Sequence, residues 1–99
     1  MNMQKLMMEA QKMQAQLQKD QKELENTIYD GSSSLVSVKM NGKYELVDVK
    51  INLDDDFSAD DKEMLEDMLM VAVNEASKKV LTDKEKKMGK YGQGLAGLM

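Results

Sequence analysis

A seven-residue repeat opens the chain: residues 4–10 (QKLMMEA), 11–17 (QKMQAQL) and 18–24 (QKDQKEL) share one pattern. With no proline anywhere and no glycine before Gly31, this stretch predicts a single continuous helix. The repeat aligns Met3, Ala10, Leu17 and Leu24 on one line, with Leu6 and Met13 on the adjoining one. That is the narrow seam of a coiled coil. Asp20 and Thr27 fall where the second line should continue, so the seam weakens toward its end. A stripe this thin does not hold a helix together alone in water. The helix therefore needs a partner, in its own chain or in a second copy.

β structure is expected next. The run 35–40 (LVSVKM), the Asn41-Gly42 pair and the run 43–53 predict a hairpin, because Asn-Gly suits a type I′ turn. In the second run Val47, Val49, Ile51 and Leu53 alternate with Asp48, Lys50 and Asn52, which predicts one buried and one wet face. Residues 26–30 can add a third short strand before a turn at 31–34 (GSSS). A sheet this small has unprotected edges, and dimerisation across one of them would resolve that.

A second helix is expected from Ser58, a good N-cap followed by Asp60, Asp61 and Glu63 at the positive end of the helix dipole. Leu65, Met68, Leu69, Ala72, Val73, Ala76 and Val80 give it a broad apolar stripe. Beyond Val80 the stripe positions become Asp83, Lys86 and Lys87, so the helix should leave the core and project into solvent as far as Met88. Gly89, Gly92, Gly94 and Gly97 then predict a flexible tail over 89–99. The expected architecture is α+β: a long N-terminal helix, a small antiparallel sheet of two or three strands, and a projecting C-terminal helix. Residues 1–88 are expected to form one domain, in a dimeric assembly. If the helices pack antiparallel, their far ends coincide.

Charge follows the same division. Residues 1–22 carry four lysines and two acids, 23–77 four lysines and fourteen acids, and 78–99 six lysines and two acids. The ends are basic around an acidic middle, although the formal net charge is -4. Distribution, more than the sum, decides what such a surface attracts.

Little in the chain suggests catalysis. Cysteine and histidine are both absent, which removes disulfides, the commonest metal ligands and the usual general base. A twelve-residue calcium loop begun at Asp54 would put Ala59 at the glycine position and Leu65 at the glutamate position. Neither fits. No phosphate-cradling glycine loop opens a helix, and neither metal nor cofactor is expected. No apolar run is long enough to span a membrane and no signal segment opens the chain, so a cytoplasmic protein without a small-molecule substrate is expected.

The lysines carry the functional reading. Lys5, Lys12 and Lys19 recur every seven residues beside the apolar seam, a spacing that also suits a solvated coiled-coil flank. Lys79, Lys86 and Lys87 share one sector of the second helix, with Lys84 outside it and Lys90 following in the tail. Every cationic side chain is lysine, which meets phosphate as a point charge and lacks the fork that reads guanine. Binding should thus be electrostatic, weakly selective and salt-sensitive. Tyr91 is a candidate for stacking on a base.

Four stretches in this order resemble the YbaB/EbfC family of small nucleoid-associated bacterial proteins: MMEAQKMQ (7–14), LVSVKMNG (35–42), DKEMLED (61–67) and AVNEA (72–76). The resemblance spans nearly the whole chain. It implies a nucleoid-located, tweezers-shaped homodimer that binds DNA with its projecting helices and serves nucleoid organisation or gene regulation. It places the DNA-contacting positions at Lys5, Lys12, Lys79, Lys84, Lys86 and Lys87. The dimer contacts are expected from Met13, Leu17, Leu24, Val36 and Val38. The absence of arginine departs from many relatives. A coiled-coil adaptor acting on protein partners is the alternative.

Overall fold

The computed structural model describes residues 2–91. Helix α1 (Met3–Asn26) leads into strands β1 (Tyr29–Ser33), β2 (Val36–Met40) and β3 (Leu46–Ile51). A 3-10 turn (Ala59–Asp61) then opens α2 (Lys62–Met88), and a second one (Gly89–Tyr91) follows it. The strands form one antiparallel sheet in the order β1-β2-β3. The expected α+β architecture is the observed one. Of the tail expected over 89–99, residues 92–99 lie outside the described residues.

Side-chain caps start α1 and the 3-10 turn that leads into α2. Asn2 Oδ1 accepts the Lys5 N–H at 3.3 Å, and the Asp61 carboxylate accepts the Ser58 N–H at 3.0 Å while Ser58 Oγ accepts the Asp60 N–H at 3.3 Å. Each cap satisfies N–H groups that have no partner within the helix.

The core forms where α2 lies across β1 and β2. Tyr29, Val36, Val38 and Met40 from the sheet meet Ala72, Ala76 and Val80 from α2, and Leu24 closes one end. Leu65, Met68, Leu69 and Val73 pack around this centre, as the stripe predicted. The approach is very close. A Cβ on Gly31 would stand 2.0 Å from the Ala72 carbonyl oxygen, so only glycine lets the helix backbone rest on β1.

Two turns differ from expectation. β1 continues through Gly31 to Ser33, and Ser34, at φ 47°, makes the turn with Leu35. Serines allow this because Ser32 and Ser33 pair with Ser37 and Val36 across the ladder. The β2–β3 connection is a five-residue loop, with Asn41 N–H donating to the Glu45 carbonyl at 2.9 Å. Asn41 Oδ1 accepts the N–H groups of Lys43 (2.8 Å) and Glu45 (3.1 Å), and the left-handed residue is Tyr44, at φ 63°. Gly42 serves closeness instead: a Cβ there would stand 1.9 Å from the Leu24 carbonyl oxygen.

A third difference concerns β3. Val49 and Ile51 face the same side as Val38 and Val36, their partners across the ladder, yet α2 does not reach them. Val47, Val49, Ile51 and Leu53, expected as a buried face, are all exposed. The alternation is real, but the chain's own core does not cover it.

Candidate nucleic-acid interface

The molecule is a rod of 73 × 20 × 15 Å, and its long dimension comes from how the helices overlap. They run antiparallel only over their C-terminal parts. Leu24, Gln21 and Glu25 of α1 border one shallow cleft with Lys84 and Met88 of α2. Farther along, the Tyr91 hydroxyl donates to Asp20 Oδ2. The described residues after α2 thus end alongside Asp20, and α1 continues past them as an arm that, among the described residues, nothing covers. The far ends do not coincide. At 1.5 Å per residue, Lys12 lies about 12 Å and Lys5 about 22 Å beyond Asp20 along the axis.

Asp20, the residue that interrupts the seam, is what makes this junction. It is buried, accepts from Gln16 Nε2 at 3.0 Å, and receives the Tyr91 hydroxyl. Burial, then the Asp20 carboxylate, push the Tyr91 phenol up to about 12. Tyr91 is therefore engaged within the chain, where the sequence had suggested base stacking. A second pair anchors α2 to the sheet: the Tyr29 hydroxyl donates to Asp83 Oδ2, and Lys87 Nζ lies 3.4 Å from the same oxygen. Neither pair was visible in the sequence, because the partners are far apart and follow no period.

The six expected lysines divide into three groups. Lys5 and Lys12 are exposed on the arm in one stripe with Lys19, and among the described residues none of the three forms an ion pair. Lys84 and Lys86 are exposed at the arm's root, also without an ion pair among the described residues. Lys79 and Lys87 are committed within the chain. Lys79 Nζ donates to the Asp30 carbonyl at 2.7 Å and lies 3.5 Å from Glu75, while Lys87 is half-buried against Asp83. Lys78, not singled out in the sequence, joins Lys79, Lys86 and Thr82 along a shallow groove beside Tyr29. Its only sequence signal is adjacency to Lys79.

Among residues expected at a dimer contact, Met13 is exposed and Leu17 half-buried. Leu24, Val36 and Val38 are 3%, 1% and 1% exposed within their own chain. They have no area left to offer a second copy, which corrects that part of the expectation. Open apolar area includes Met3, Leu6, Met7, Met8 and Met13 on the arm, β3 on the sheet, and Met64, Met70, Val71 and Leu81 on α2.

Comparison with known proteins places this geometry. Residues 1–95 match the model of the YbaB/EbfC DNA-binding family. A nucleoid-associated protein of Chloroflexus aurantiacus is 43% identical over 99% of this chain and 99% of its own. One from Ligilactobacillus salivarius is 37% identical over 99% of this chain and 95% of its own. A crystal structure of an uncharacterized Helicobacter pylori protein superposes with a TM-score of 0.69 at 30% identity, covering 87% of this chain and 91% of that one. The chain belongs to the YbaB/EbfC family of nucleoid-associated DNA-binding proteins.

Proposed function

We propose that this protein binds double-stranded DNA as a homodimer, mainly through lysine–phosphate contacts, in nucleoid organisation or gene regulation within the cytoplasm. The carrying observation is the free arm of α1, whose Lys5, Lys12 and Lys19 stripe projects beyond the core with no carboxylate partner among the described residues. Lys84 and Lys86 at its root extend the same basic surface. Lys79 and Lys87 contribute field more than contact, since each already holds a partner. The homodimer is supported by the apolar residues open on β3 and on the arm, a surface that a lone chain leaves in water. Met13 and Leu17 stay in the proposed interface.

Fluorescence anisotropy of a labelled duplex of about 30 base pairs tests this. Affinity is expected to fall by more than about tenfold between 50 and 200 mM salt, as for several phosphate contacts. Lys5→Ala/Lys12→Ala and Lys84→Ala/Lys86→Ala should each weaken binding and shallow the salt slope. Absence of binding at low salt would overturn the reading. The exposed methionines and leucines of the arm would then favour the adaptor alternative, with the seam docking a partner helix.

A further inference from the structure

We infer that Asp20 and Tyr91 form a polar latch that fixes the direction of the α1 arm. The latch holds the lysines of the arm and those at its root in one arrangement before DNA arrives, and neither residue touches the duplex itself. This rests on the DNA binding proposed above and names what positions its contacts.

Asp20 is the one polar or charged side chain buried among the described residues, and it stands on the line of Leu6 and Met13. A leucine there would continue the seam and bury apolar area. A carboxylate loses its hydration instead. What it gains is direction. Apolar packing is non-directional and lets one helix roll on another, whereas a carboxylate oxygen accepts well only within a narrow range of distance and angle. A single buried polar group in the seam of a coiled coil works the same way, setting alignment at some cost in stability.

The surrounding geometry suits that role. Gln16, one turn back on α1, donates to Asp20 Oδ1 at 3.0 Å and so orients the carboxylate from its own helix. Tyr91 donates to Oδ2 from the end of the 3-10 turn that follows α2. Helix α2 is in turn fixed to the sheet by Ala72, Ala76 and Val80 and by the Tyr29–Asp83 pair, so the latch ties α1 to an anchored element. The other attachment of α1 is Leu24, whose carbonyl lies against Gly42. Leu24 and Asp20 stand four residues apart, about 6 Å along the axis. One point of attachment leaves a helix free to pivot; two fix its direction. Residues 3–16 are all exposed, so among the described residues the direction of the arm is decided at its root.

Direction matters because the lysines ride on two elements: Lys5, Lys12 and Lys19 on α1, and Lys84 and Lys86 on α2. A duplex engaged by both groups must find them aligned. With the latch closed the alignment precedes binding. With it open the same contacts form, but binding must also order the arm. The latch thus changes affinity without changing how many phosphates are neutralised, and a salt titration reads those two quantities separately.

Asp20→Leu/Tyr91→Phe puts apolar contact in place of the latch. Its urea midpoint should equal or exceed that of the wild type. Its affinity for a duplex of about 30 base pairs should fall about three- to tenfold with the salt slope unchanged, whereas Lys5→Ala/Lys12→Ala should shallow the slope by about two. Tyr91→Phe alone should lower affinity in the same way by less. The chain has no cysteine, so spin labels at Gln11→Cys and Asp67→Cys, both exposed positions, report the direction of the arm when diluted in unlabelled protein. Without DNA, the wild type should give one narrow distance distribution and the double variant a broad one. A variant as narrow as the wild type overturns the latch. A broad variant that binds as tightly as the wild type, or with a shallower slope, overturns its role in positioning the lysines. A urea midpoint that falls in step with affinity assigns both to stability and overturns that role too. A wild type that binds no DNA overturns the function proposed above and this use of the latch, while a change from narrow to broad still upholds the latch itself.

Discussion

Asp83 occupies the position where the apolar stripe of α2 would otherwise continue, and the Tyr29 hydroxyl converts that position into an anchor. The hydrogen bond from Tyr29 holds the Asp83 carboxyl below the usual aspartate range, with Lys87 adding to the effect. Burial, and then Asp83 itself, push the Tyr29 phenol up to about 12. The two shifts act at opposite ends of the pH scale. Tyr29 stabilises the fold fully below its ordinary value of 10.0, and that contribution is lost as pH rises through about 12. Asp83 contributes above its ordinary 3.8, and its contribution is lost as pH falls through the lowered value. Tyr29→Phe should cost about 1–2 kcal/mol at neutral pH. Urea midpoints of wild type and variant should converge between pH 10 and 12; a gap that stays constant would assign the cost to packing instead.

At the scale of elements, repeats and alternations survive as structure wherever the chain supplies its own cover. The α2 stripe became the core surface it announced, down to Ala72, Ala76 and Val80 at 0% exposure. The α1 repeat became one helix, but only Leu24 of its seam is fully buried. A period announces that a face wants cover; it does not say which chain supplies it, and β3 is the plainest case. Glycine was legible as a turn signal at Gly42, whereas its actual work is to admit the Leu24 carbonyl, a contact that no local pattern encodes. Leu24→Ala should therefore cost about 2–5 kcal/mol, while Leu6→Ala, far out on the arm, should stay within about 0.5 kcal/mol. Gly31→Ala should be destabilising by about 1–3 kcal/mol, because the atom it meets is backbone and cannot rotate away. Chemical denaturation of the three variants ranks them directly.

Considered whole, the molecule separates a folded base from a projecting arm, and the two respond to different losses. Deleting residues 2–14 removes exposed helix and no core residue, so the denaturation midpoint of the base should barely move. Affinity for a duplex should fall with the loss of Lys5 and Lys12, and anisotropy beside a urea titration checks both halves of that expectation. The basic ends around an acidic middle were legible in the sequence. Their offset along the rod was not, because it depends on where Asp20 and Tyr91 meet. That offset also gives one glycine long-range leverage. The 24 residues of α1 extend about 36 Å, and the helix is seated at its root where Gly42 meets Leu24. A tilt of about 5° at this seat sweeps the tip through about 3 Å. That is close to the rise of one base step along a strand, about 3.4 Å. The methyl group missing from Gly42 thus works as a gauge: in the proposed complex it would set, from the far end of a lever, which phosphate along a duplex the tip lysines meet.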